Sequence, residues 1–160
     1  MNAATLALAG LLVACLPQPM LHGDVAFTAT ERSAIEGAAA YMAERTGNDP
    51  PEIAWDAPHV ADNATCPPGS IVRRARMVGL DGMMVGRDGC IYLNTALDAD
   101  RFQAVAAHEL GHWFGVGHHD ELGIMNVNVA HTMRWTEADE RVCHRYEGRC
   151  KYQGKPEAVE

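Results

Sequence analysis

Apolar residues recur along this chain with two different periods. Between Thr30 and Gly47 the text TERSAIEGAAAYMAERTG keeps alanine, isoleucine and methionine at helical spacings and ends on a glycine. Thr30 is suited to cap this segment, with Ser33 and Glu36 after it, because a side-chain oxygen can satisfy an orphan N–H at a helix start. Gly47 is suited to stop it, since glycine enters the left-handed conformation cheaply. A helix over about 31–46 is predicted. Prolines break up the next stretch and leave Glu52 to Trp55 as a short strand. Alternation and β-branched residues return from Ile71 to Val78, which predicts a strand. Asp81-Gly82 and Asp88-Gly89 mark turns around a shorter strand at Met83 to Val85, and CIYLNT, beginning at Cys90, predicts another. A second helix follows Asp100, which acts as cap with Gln103 as its partner. Phe102, Ala106, Leu110 and Trp113 form its apolar stripe. His108 and His112 project roughly 135° from the centre of that stripe, by the rotation of a helix. They therefore have some reason for being there other than core packing.

The length of 160 residues suits one domain with a single core. A small domain of the α+β class is expected. Net charge is −8, and the 13 basic residues form no run able to track phosphates, so no nucleic-acid partner is expected. The chain opens with an apolar segment from Ala3 to Ala14, too short to span a bilayer and of the length of a signal's apolar region. Its end, Leu12-Val13-Ala14-Cys15, resembles a bacterial lipobox, whose cysteine is lipidated and becomes the new N-terminus. The resulting division is a signal or lipobox segment at 1–15, a tether at 16–29 and a folded domain at 30–160. Export is expected, to the bacterial cell envelope as a lipoprotein and otherwise by secretion. Membrane contact is expected only through a lipid at Cys15, and the domain is expected to be a monomer.

Cysteine usage agrees with export. Setting Cys15 aside leaves Cys66, Cys90, Cys143 and Cys150 from a total of five, an even set that reads as two disulfides in an exported small domain. Three pairings are open. Proximity in the chain favours Cys143 with Cys150, and hence Cys66 with Cys90. No CxxC spacing is present to suggest a zinc site built from them.

The candidate chemistry lies in HELGHWFGVGH, residues 108–118. A spacing of four puts His108 and His112 one turn apart on one helix face, where two imidazoles can converge on one ion. Gly115 can end the helix and turn the chain so that His118 returns from another direction, with Gly115 and Gly117 together acting as hinges. Three imidazoles with one open position describe a catalytic zinc site, since a structural site is normally closed by a fourth protein ligand. Glu109 sits beside the first ligand, where it can take a proton from water that zinc has acidified from a pKa near 16 to about 7, and later protonate a leaving amine. From the chain's own residue frequencies, a chance match to HExxHxxGxxH is on the order of one in ten thousand.

That signature resembles the long zinc motif of the metzincin metallopeptidases, which continues to a Met-turn. Gly123-Ile124-Met125-Asn126 stands at the matching distance, and Thr136 with Asp139 offers a cap for a last helix; both features resemble the matrixin branch. The resemblance implies a small zincin-like domain with a short twisted mixed sheet, an active-site helix and a C-terminal helix. It also implies Met125 as a hydrophobic floor that is not itself a ligand. Matrixins carry a five-stranded sheet with one strand ahead of the first helix, whereas the patterning here gives three or four strands and none before Thr30. The tyrosine that several families place two residues after the methionine is absent, since residue 127 is valine. The implied activity is a zinc endopeptidase, with Zn2+ held by His108, His112 and His118, Glu109 as general base, and an extended protein or peptide substrate along a strand edge near Met83 to Gly86. Two rivals are a zinc-containing binding module without turnover, which would not need Glu109, and a zinc hydrolase of another acyl bond.

The remaining candidates receive ordinary readings. His119 and Asp120 are expected to face solvent. His22 and Asp24 could cap the zinc in a latent form but are read as tether. His59, His131 and His144 have no partner spacing. Asp81 and Asp88 lack the ligand count of a calcium loop.

Overall fold

The computed structural model describes residues 20–60, 66–85, 89–127, 132–143 and 150. The segment 1–15 lies outside these residues, as do Gly86, Asp88, His131 and His144. In chain order the elements are β1 Leu21–Asp24, α1 Ala29–Thr46, β2 Ile53–Ala57, β3 Ser70–Arg74, β4 Gly82–Val85, β5 Cys90–Asn94, α2 Ala99–Trp113 and α3 Glu137–Cys143. The protein is a small α+β domain. Its single sheet runs in the order β2-β1-β3-β5-β4. The first four strands are parallel, and β4 pairs antiparallel with β5 at the edge.

A strand does precede the first helix, and it occupies the interior of the sheet. The tether expected over 16–29 therefore gives way at Leu21. LHGD contains a single large apolar side chain, so no alternation reveals it. Neighbours on both sides make it a strand instead: Leu21 N–H donates to Glu52 C=O at 2.9 Å, and His22 N–H to Gly69 C=O at 2.9 Å. Gly23 has no side chain where the Trp55 ring lies against the strand.

The helices begin earlier than the patterning predicts. Thr28, not Thr30, caps α1 in a full capping box with Glu31, and Gly47 closes it in the left-handed conformation at φ 69°. Asp98, not Asp100, caps α2 through the Arg101 N–H. In both cases the capping residue lies in extended backbone two positions upstream of an equally suitable polar residue, and only the path of the chain selects between them. Strand β3 stops at Arg74, and Val78 is 90 % exposed.

Leu21, Ile71, Ile91 and Leu93 of the sheet, Ile35 and Met42 of α1, and Val105 and Leu110 of α2 share one core with Ile124, Met125 and Trp135. Helix α2 is buried on nearly every side, with the sheet and α1 around one part and the segment from Ile124 around another. Its amphipathic stripe accounts for only part of that burial. Cys66 pairs with Cys90 and Cys143 with Cys150 at disulfide distance, with Cα separations of 5.8 and 5.5 Å. Among the described residues no helix is long and apolar enough to cross a membrane.

Candidate metal centre

The two helical histidines are fixed by backbone carbonyls. His108 Nδ1 lies 2.7 Å from Ile124 C=O, and His112 Nδ1 lies 2.9 Å from Val116 C=O. A carbonyl only accepts, so each Nδ1 carries the proton and each Nε2 is left with a bare lone pair. Both lone pairs face His118, whose Nε2 lies 3.0 Å from that of His108 and 2.9 Å from that of His112. One proton on His118 could serve only one of the two nitrogens. A cation serves all three, and this donor set fits a divalent metal. Tetrahedral zinc, with Zn–N bonds of about 2.0–2.1 Å, holds its nitrogens about 3.3 Å apart, close to these spacings. The three residues form a group whose ligand atoms lie within 4.8 Å of one another.

His118 reaches this place because the chain reverses after α2. Phe114 ends the helix, Gly115 adopts φ 87°, and Val116 N–H returns to Gly111 C=O at 2.8 Å. Of the two expected hinges only Gly115 has positive φ, so Gly117 is not needed for the turn. Met125 is fully buried and packs against α2 at Gly111. A β-carbon on Gly111 would stand 2.5 Å from the Met125 sulfur, so the small residue inside the motif is what admits the methionine.

A carboxylate whose place in the sequence suggests only capping holds the backbone around Met125. Asp139 is fully buried and accepts from Met125 N–H at 2.8 Å, Thr136 N–H at 2.7 Å and Thr136 Oγ1 at 2.9 Å, with Ile124 N–H at 3.3 Å. His119 Nε2 lies 2.8 Å from the same carboxylate, and its side chain is 7 % exposed. The solvent-facing reading of His119 is thus corrected: the turn of chain after the third histidine packs it inward against α3. Asp120 is exposed, as expected. His119 also joins the Met-turn by backbone bonds, accepting from Val127 N–H at 2.9 Å and donating to Met125 C=O at 3.2 Å.

Glu109 is 6 % exposed and lines the same cleft as the three histidines. Burial raises its pKa to about 7, and the Met84 N–H, which donates to it, opposes that rise. Burial lowers His112 to about 4, with the adjacent His118 acting in the same direction and the Val116 carbonyl against it. His118 is likewise lowered, by burial and then by His119. Neutral imidazoles are the form that binds metal. The cleft encloses about 700 Å³, with Met77, Leu80, Met83, Met84 and Val127 among its walls.

Strand β4 forms one wall. Asn94 N–H donates to Asp81 C=O at 3.0 Å, and Met83 opposes Tyr92 as Val85 opposes Cys90. By antiparallel alternation, Met83 and Val85 bond to β5, while Gly82 and Met84 turn their backbone groups to the open edge. The other titratable candidates lie elsewhere. His22 Nδ1 pairs with Asp56 at 2.8 Å; Asp24, fully buried, takes His59 Nδ1 at 2.6 Å and Ala26 N–H at 2.8 Å. His59 thus has the partner its spacing did not disclose. Asp81 binds Arg101 Nε at 2.9 Å, an ion pair and not a calcium ligand set.

No family model, no curated protein and no solved structure matches the chain. What the structure shows is a cluster of His108, His112 and His118 placed to hold a metal ion.

Proposed function

We propose that this protein is a zinc-dependent endopeptidase acting on extended segments of proteins or peptides outside the cytoplasm. The observation that carries this reading is the convergence of three imidazole Nε2 atoms, two with tautomers fixed by backbone carbonyls, beside a buried glutamate in an open cleft. His108, His112 and His118 would hold the ion. Bound there, zinc supplies Lewis acidity that brings the pKa of water near neutrality.

The chain's own groups do the rest. Glu109 accepts the proton of the attacking water. Its burial makes it a stronger base than an ordinary carboxylate, with a pKa near the operating pH, which suits proton transfer in both directions. The same carboxyl then returns the proton to the amine that leaves. The open edge of β4, where Gly82 and Met84 turn backbone groups outward, offers a place to which an extended substrate can add as a strand. The two cysteine pairs at disulfide distance fit an oxidising compartment. Export, and lipidation at Cys15, complete the proposal.

Digestion of casein and of a peptide library by the zinc-loaded protein, followed by product mass spectrometry with and without a chelator, tests it. Chelator-sensitive internal cleavage is expected. Stoichiometric zinc with no cleavage would favour the binding module, and turnover of small esters or amides alone would favour the other hydrolase.

A further inference from the structure

Strand β4 and helix α2 approach each other through a residue that has no side chain. A β-carbon built on Gly82 would stand 2.6 Å from Val105 Cγ1, 2.9 Å from Glu109 Cγ and 2.9 Å from Glu109 Oε1. Real β-carbons do not approach heavy atoms so closely, and Val105 is itself fully buried. An alanine at 82 would displace the glutamate or lift the strand. Two residues on, Met84 turns its backbone groups to the sheet's open edge, and its amide is the group that holds the Glu109 pKa down against the effect of burial. Strand β4 therefore touches Glu109 twice, through the bare α-carbon of Gly82 against its stem and through the Met84 amide at its head.

We propose that Gly82 is a positioning residue for Glu109. Its missing side chain lets β4 rest on the glutamate and deliver the Met84 N–H, fixing the carboxylate in the cleft before the three imidazoles. Its catalytic consequence rests on the endopeptidase reading above, but the contact itself exists without metal or substrate. The substrate strand and the base would thus be registered by one strand edge. A change at 82 would act on the chemical step and leave the metal site intact, since the three atoms nearest the added carbon belong to Val105 and Glu109 and to none of the three histidines.

Amide hydrogen exchange in the metal-free protein reads the contact directly. In the wild type Met84 N–H is protected although it faces the open edge. Gly82→Ala speeds its exchange at least about tenfold, while Met83 and Val85, bonded to β5, stay protected. Glu109→Ala has the same selective effect. In the zinc-loaded protein Gly82→Ala lowers kcat by on the order of 100-fold, the cost of displacing a catalytic group by about 1 Å, with KM and zinc affinity within about threefold. Should Gly82→Ala free all three amides, the double variant Gly82→Ala/Val105→Ala decides, because it makes room for the methyl everywhere except against Glu109. Met84 protection retained there, or in Gly82→Ala with its strand intact, overturns the proposal. Failure of the wild type to cleave peptides overturns the endopeptidase reading instead, and leaves Gly82 to be judged by exchange.

Discussion

His119 Nε2 lies 2.8 Å from the carboxylate of Asp139, joining the residue after the third metal-site histidine to the C-terminal helix. The same carboxylate binds Met125 N–H, and the neighbouring Ile124 carbonyl orients His108. One buried side chain in α3 thus ties the residue after His118 to the backbone beside the carbonyl that orients His108.

Replacing Asp139 with alanine strands several buried donors at once. The expected loss is about 3–5 kcal/mol of stability, as for breaking other buried charged networks. Asp139→Asn keeps the shape but loses charge and one acceptor, and should cost less. Urea unfolding of the metal-free proteins measures both; a change below about 1 kcal/mol in the alanine variant would remove Asp139 from this role.

Gly111→Ala tests the packing of Met125. Its methyl would meet Met125 Sδ at 2.5 Å and Met42 Cε at 3.1 Å, in a region with no room to spare. Overpacking of this kind costs about 1–3 kcal/mol. Adding Met125→Ala to Gly111→Ala should recover part of it, and thermal melts of the two single variants and the double variant would show the non-additivity.

Glu109→Gln separates binding from turnover. The glutamine keeps the size of the side chain but cannot take a proton, so zinc content by elemental analysis should stay at the wild-type level while hydrolysis falls by about 10²–10⁴-fold. Equal rates in the two proteins would discard Glu109 as the base.

The metal-free protein should show opposed pH dependences that one substitution pulls apart. His112 is held at about 4 in the fold, below its ordinary 6.5, so its contribution is present above 6.5 and is lost as pH falls toward 4. Glu109 is raised from 4.5 to about 7, so its contribution is present below 4.5 and is lost as pH rises through 7. Glu109→Gln removes the second trend. Above pH 8 it should be more stable than wild type by about 2–3 kcal/mol, and its stability should climb from pH 4 to 6.5 and then level off. Denaturant melts at four pH values would reveal the crossing; parallel curves would contradict it.

The zinc signature, helices α1 and α2 and four of the five strands follow from patterns within a few residues of chain, whereas the disulfide pairing is only favoured by the closeness of Cys143 and Cys150. Spacing of four on a helix fixes which face His108 and His112 share, and short loops make neighbouring cysteines the easier partners. Nothing local distinguishes LHGD from a tether, because a strand buried between two parallel neighbours is made by their hydrogen bonds and not by its own alternation. The same holds for His119, Gly82 and Asp139. Their roles exist only where segments distant in sequence meet, and which surface His119 faces is decided by where α3 places Asp139, not by its own chemistry. The sequence by itself determined the donor set, because ligand identity and helical period are properties of the chain. Tertiary structure decided the open edge beside the glutamate, the packing of Met125 against Gly111 and the carboxylate of Asp139 that joins His119 to the Met125 backbone, since packing and burial arise only once the sheet and helices close on one another.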